Sequence, residues 1–148
     1  MKKLLILLLL PTLLLAQKDC YSVKGVTTTV EMEEISQRRI VFGIKQMMED
    51  IISDKYDLCM DGKPVEVIVQ SIEAPQTGIQ LGPWTKVSKK TIVTLLIYMD
   101  GKIIEVEGKA KSTVEATFID LQNDEIPFDK TTFASAVKKA IEKMIIKN

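Results

Sequence analysis

Two apolar patterns in the second half of the chain predict a β-hairpin. Residues 91–99 are apolar at nearly every position, which is typical of a strand that is buried on both faces. Residues 103–118 instead alternate between apolar and polar side chains, so this strand is expected to bury one face and to expose the other. Asp100 and Gly101 lie between the two segments, and this pair is a strong signal for a tight turn. The two strands are therefore expected to pair antiparallel.

The rest of the pattern adds two strands and two helices. β-branched residues predict strands at 21–30 and 65–72, and helical spacing of apolar residues predicts a helix from 31 to about 55 and another near the end. The expected buried stripes are Ile40, Ile44, Met47 and Ile51 in the first helix and Phe133, Val137, Ala140, Ile141 and Met144 in the second. This order predicts an α+β fold, in which a four-stranded, mainly antiparallel sheet carries both helices on one face.

The first sixteen residues have the layout of a secretory signal peptide. Lys2 and Lys3 precede a leucine-rich run that ends at the small residue Ala16. A membrane anchor is the alternative, but the apolar run is roughly 13 residues long and roughly 20 are needed to span a bilayer. Cleavage near Ala16 is expected to leave residues 17–148 as a single periplasmic or secreted domain with no stable membrane span.

Cys20 and Cys59 are the two cysteines of the chain. An even number of cysteines in an exported protein predicts a disulfide. The predicted first strand and first helix have similar lengths, so packing them back to back would bring these two residues together. A redox pair and a thiolate metal site are weaker alternatives, because the cysteines lie far apart in sequence.

Histidine is absent from the chain. This excludes Ser-His-Asp and Cys-His nucleophilic sites and histidine-ligated zinc. The strongest remaining acid–base candidates are Glu105 and Glu107, which share one face of a predicted strand but have Lys109 beside them and no apolar pocket to raise a pKa. We therefore expect no catalytic residues, no bound metal and no cofactor. The formal net charge is zero, which gives no reason to expect nucleic acid as a partner.

Residues 74–88 are predicted to form the one long irregular loop of the domain. Its breakers are Pro75, Gly78, Gly82 and Pro83. The residues predicted to bind a partner are Trp84, Leu81, Ile79 and Lys86, with the tryptophan as an aromatic anchor. In the alternative interpretation the loop folds Trp84 over an open end of the core.

Two further segments leave alternatives open. The acidic residues between Asp120 and Glu125 are expected to form a turn, although their oxygens are also of the type that binds calcium. The closing helix is basic, as membrane-surface helices are, but Ala136 and Ala140 favour close packing on a sheet.

The segment from Ile92 to Ile145 carries a resemblance to known modules. Its features are an apolar strand, the turn at Asp100, a return strand with Gly108, and a closing helix with Phe133, Ala136, Val137 and Ala140. In this layout it resembles periplasmic modules of bacterial envelope-assembly proteins, such as the periplasmic domain of the curli secretion channel and the lipoprotein activators of penicillin-binding proteins. The resemblance implies an exported accessory module, but no functional residue is transferred. The residues before Cys20 do not form a lipidation motif.

The sequence as a whole predicts an exported, non-enzymatic binding or accessory domain in envelope or surface assembly. Its partner is expected to be a protein or envelope component, recognised through residues 74–88 and a sheet edge. The first alternative is a structural subunit of an extracellular or viral assembly that self-associates through a sheet edge or the open face. The second is a carboxylate-based hydrolase.

Overall fold

The computed structural model describes residues 19–32, 34–117 and 129–147. These residues form β1 (Cys20–Thr28), α1 (Glu34–Ser53), β2 (Asp57–Leu58), β3 (Lys63–Glu73), β4 (Gln76–Leu81), β5 (Trp84–Met99), β6 (Lys102–Thr117) and α2 (Lys130–Lys147). The predicted signal peptide and the predicted acidic turn at 120–125 lie outside the described residues. Neither described helix is both long and apolar enough to cross a membrane.

The strands form one six-stranded mixed sheet that curves into a half-barrel. β1 lies between β2 and β3 and is parallel to both, whereas β3, β4 and β6 run antiparallel to β5. The expected four-stranded, mainly antiparallel sheet is therefore wrong in strand number and in the direction of β1, although the class is α+β. The parallel pair arises because α1 carries the chain back across the sheet between β1 and β3, and crossovers of this kind join parallel strands.

Both helices pack against a single apolar core on one face of the sheet. All five residues of the stripe predicted for α2 are buried, which confirms it. In α1, Ile44, Met48 and Ile52 are fully buried, whereas Ile40 and Met47 lie at the margin of the core. The core-facing stripe of α1 keeps the helical spacing of the prediction but is rotated toward Met48 and Ile52.

Gly108 sets the distance between α2 and the sheet. A Cβ atom built on Gly108 would lie 1.8 Å from the carbonyl oxygen of Ala136 and 2.7 Å from the backbone nitrogen of Ala140. These are backbone atoms, so no side-chain rotation relieves the overlap. The absence of a side chain at Gly108 and the small side chains of Ala136 and Ala140 together bring α2 down onto β6.

The predicted disulfide between Cys20 and Cys59 is present, with a Cα–Cα distance of 6.0 Å that is normal for such a bond. It joins the start of β1 to the residue that follows β2. Next to it, the hydroxyl of Tyr21 donates a hydrogen bond to Oδ2 of Asp100 at 2.6 Å, which ties β1 to the tight turn between β5 and β6. Burial, followed by the hydrogen bond to Asp100, raises the pKa of Tyr21 above its usual range. The phenol therefore stays protonated and remains a donor.

A side-chain cap defines the start of α2. Oδ1 of Asp129 accepts a hydrogen bond from the backbone N–H of Thr131 at 2.9 Å, and Oδ2 accepts one from the hydroxyl of Thr132. The bond from Thr132 is the main reason that the pKa of Asp129 lies below its usual value. The cap fixes the position of Lys130, the first residue of the helix.

Candidate functional site

The segment predicted as an irregular loop is a β-hairpin. β4 pairs in continuous register with the first residues of β5, and Gly82 and Pro83 form the two-residue turn between them. Gly82 has a φ of 60°, a conformation that glycine adopts without strain. The two prolines lie at the ends of β4, where they interrupt no ladder hydrogen bond. The prediction of a loop over 74–88 is therefore wrong, because Pro75, Gly82 and Pro83 lie just outside the strands and Gly78 is accommodated within β4.

The hairpin displays three of the four predicted binding residues as an apolar group on one face. Leu81 lies opposite Trp84, and Ile79 lies two residues earlier on the same side of β4. Their exposed fractions are 63% for Ile79, 65% for Leu81 and 38% for Trp84, which are high values for large apolar side chains. Among the described residues, Trp84 is not one of those that belong to the core cluster or pack against it.

The fourth predicted residue, Lys86, lies beside this group with its charge already paired. It faces Ile79 across one side of β5 and Glu115 across the other. Its Nζ atom lies 2.6 Å from Oε1 of Glu115. Both side chains are about half exposed, so the pair orients them more than it stabilises the fold. All four predicted residues are therefore neighbours. Three of them are exposed large hydrophobic residues, and the fourth is a lysine in an ion pair.

Among the described elements, the sheet holds β4 along one of its two edges. β4 contacts only β5 among the described elements, and its six residues are all exposed. Its outer edge is therefore a sheet edge next to the exposed Ile79 and Leu81. The hairpin and this edge lie side by side, and recognition of a partner through them stays a prediction.

The apolar surface continues along the open face of the sheet, the face away from the helices. The partly exposed apolar residues of this face are Ile68, Ile92, Leu96, Tyr98 and Ile103. Ile68 lies opposite Leu96, and Tyr98 lies opposite Ile103, so they form cross-strand pairs. From the sequence, this face is expected to expose the polar side chains of β6. The apolar residues at even positions of β5 are the signal for its apolar part, but on their own they indicate only a strand that is buried on both faces.

The carboxylates on the open face are arranged unfavourably for acid–base catalysis. Glu107 forms an ion pair with Lys109, and this contact is the largest of the interactions that lower the pKa of the Glu107 carboxyl; Lys143 and Lys90 act in the same direction. A general acid near neutral pH requires a raised pKa instead. Within the described ranges, no group of three or more potential metal ligands is found.

The outer edge of β6 is covered by two lysines of α2. The N–H of Lys90 points toward β4, because it donates to the carbonyl of Pro75, so alternation directs the backbone groups of Glu107 and Lys109 away from β5. At this outer edge Nζ of Lys143 donates to the carbonyl of Glu107 at 2.8 Å, and Nζ of Lys139 donates to that of Lys109 at 3.3 Å. Lysines at an exposed edge oppose pairing with a further strand.

Replacing both Lys139 and Lys143 with alanine is expected to make the protein self-associate. The change frees two edge carbonyls and removes two charges that repel an incoming chain. Light scattering over a range of protein concentrations should show an apparent mass that increases for this variant. The control is a variant in which Lys45 and Lys138 are replaced by alanine, because it removes the same charge from positions whose ion pairs, among the described residues, lie within their own helix. Equal behaviour of the two variants would contradict the role of the edge lysines.

Comparisons with known proteins give structural likenesses at low sequence identity. No family model and no curated protein matches the chain. A minor lipoprotein from Acinetobacter baumannii is 10% identical, with 88% of this chain and 90% of that chain covered and a TM-score of 0.42. The hypothetical protein CT253 from Chlamydia trachomatis is 9% identical over 88% of this chain and 95% of that chain, with a TM-score of 0.37.

A third similar structure comes from Caulobacter crescentus CB15 and is described as a lipoprotein. It is 12% identical over 82% of this chain and 85% of that chain, with a TM-score of 0.30. These likenesses identify no specific family for the chain. At such low identity no residue role is carried over to this chain.

Proposed function

We propose that this protein is an exported, non-enzymatic binding module that recognises a protein or envelope component through the β4–β5 hairpin. The observation that carries the proposal is the apolar group of Ile79, Leu81 and Trp84 on one face of an exposed hairpin. Clustered apolar side chains at a surface are a common mark of an interaction site. Tryptophan in particular combines a large apolar area with a polar N–H that a partner can satisfy.

The strand β5 supports the proposal because it anchors the hairpin in the core and so holds these side chains in place. β5 continues from the hairpin into the core, where Val93, Leu95 and Ile97 are fully buried. An apolar anchor on a strand of this kind loses little conformational entropy on binding, because its backbone is already ordered. The adjoining pairs on the open face would widen the contact area.

Export is supported by the disulfide. Bonds of this type persist in oxidising compartments such as the periplasm and the cell exterior, and they are rare in the reducing cytosol. A non-enzymatic role is supported by the lack of histidine and by the direction of the pKa shift of Glu107. The proposed role of the hairpin is the same in the periplasm and at the cell exterior.

Site-specific photo-crosslinking is the direct test of the proposal. We expect a photoreactive phenylalanine analogue at Leu81 to form a discrete adduct with a second protein or envelope component in intact cells of the native host, detected by mass shift and identified by mass spectrometry. The matched control carries the same analogue at Phe42, which is 62% exposed but lies on α1. Equal labelling from both positions, or none from Leu81, would contradict the proposal. An adduct with a second copy of this chain would favour the structural-subunit alternative.

A further inference from the structure

A groove of about 520 Å³ lies between the N-terminal halves of α1 and α2, on the opposite side of the sheet from the hairpin face. Its apolar lining includes Ile40, Met47, Phe133 and Ala134. Sites for small molecules have this size and this predominantly apolar lining. The groove is therefore of a kind that holds the hydrocarbon part of a ligand.

Gly43 is the unusual residue of this groove. It lies in the interior of α1, where glycine is less stable than alanine because the unfolded chain has more freedom to lose. A Cβ atom built there would meet nothing within 4 Å, so packing does not require the glycine. The missing side chain keeps the wall of the groove open. Space for a bound ligand would explain a glycine at this position, which packing within the fold does not explain.

The charged residues among the described lining of the groove are both cations. Arg39 lies one helical turn before Gly43, and Lys130 is the first residue of α2. Neither forms an ion pair with another described residue. Among the described residues that line the groove, none is acidic. Two cations at an apolar groove complement a ligand with a hydrocarbon chain and an anionic head group.

We propose that this groove binds a long-chain fatty acid, with its chain between the two helices and its carboxylate at Arg39 and Lys130. Each methylene removed from water increases affinity about fourfold, so the chain supplies most of the binding. The two cations distinguish the acid from a neutral chain of equal length. This site is separate from the hairpin, and its test does not depend on the proposed function.

The test uses the mature full-length chain and a fluorescent fatty acid, 11-(dansylamino)undecanoic acid, displaced by oleate below its micelle concentration. We expect saturable binding to the unmodified chain. Gly43→Leu places a side chain in the groove and should weaken binding by at least about tenfold. Gly25→Leu is the matched control, since its Cβ also meets nothing within 4 Å but lies on β1, and it should bind normally. Ala134→Leu is a second filling variant, and circular dichroism checks that each variant is folded.

The head-group assignment has its own measurement. Replacing both Arg39 and Lys130 with glutamine should weaken oleate about tenfold and leave oleyl alcohol unchanged, because a charge-assisted hydrogen bond is lost only for the acid. No saturable binding to the unmodified chain, or equal affinity in the folded Gly43→Leu and Ala134→Leu variants, would overturn the site. Equal weakening of the acid and the alcohol would overturn the role of the two cations.

Discussion

Removing the disulfide, by replacing both Cys20 and Cys59 with alanine, is expected to lower the free energy of unfolding by about 4 kcal/mol. The bond closes a loop with a sequence separation of 39 residues, and opening it restores that chain entropy to the unfolded state. The loop contains α1 and β2, and among the described strands β2 pairs with β1 alone.

Urea unfolding at neutral pH, monitored by circular dichroism, measures the effect. Reducing the unmodified protein with dithiothreitol should produce the same loss as the double variant, and the reductant should leave the double variant unchanged. The loss of unfolding free energy in the reduced protein would then be assigned to the disulfide itself. A loss below about 1 kcal/mol in the double variant would contradict the argument, since it would mean that the unfolded state is already compact without the bond.

Local patterns were sufficient for the parts of the fold that depend on neighbours in sequence. The turn at Asp100 and Gly101 is an example, because both residues have positive φ values of the kind that this dipeptide tolerates. The stripe of α2 is another, since helical spacing alone determines which residues share a face. The disulfide followed from the lengths of two adjacent elements. None of these required knowledge of a distant contact.

The predictions from the sequence are wrong where segments that lie far apart in sequence meet. The parallel pairing of β1 with β3 depends on how α1 crosses the sheet, and no residue within either strand encodes the direction. A bulge at Gln70 in β3 is a second, more local reason why alternation along the sequence assigns a residue to the wrong face. It shifts the register between Val69 and Ser71, so Ile72 packs against the core although simple alternation places it on the opposite face from Val65.

The candidate site was accessible from the sequence only in part. Ile79, Leu81 and Trp84 were identified because large apolar residues stood among turn residues, but their common face depends on the hairpin register. The groove was not accessible at all. Arg39 and Lys130 belong to different helices at opposite ends of the chain, so only the tertiary structure shows that both line one cavity.

Gly108→Ala is expected to destabilise the protein by about 3 kcal/mol, the upper part of the usual range for overpacking. The added methyl group overlaps the backbone of Ala136 and Ala140, so α2 must move away from β6 to admit it. That movement loosens contacts of Phe133, Val137 and Ile141, which are buried beneath the helix. The midpoint of thermal unfolding should decrease by about 10 °C.

Gly25→Ala separates this overlap from the general effect of replacing a glycine in a strand. A Cβ on Gly25 meets nothing within 4 Å, and neither Gly25 nor Gly108 has a positive φ. Gly25→Ala is therefore expected to unfold at a temperature within a few degrees of the unmodified protein, or slightly above it because alanine restricts the unfolded chain. Similar melting temperatures for the two variants would show that α2 does not need a bare backbone at Gly108, and the close approach of helix and sheet would then require another cause.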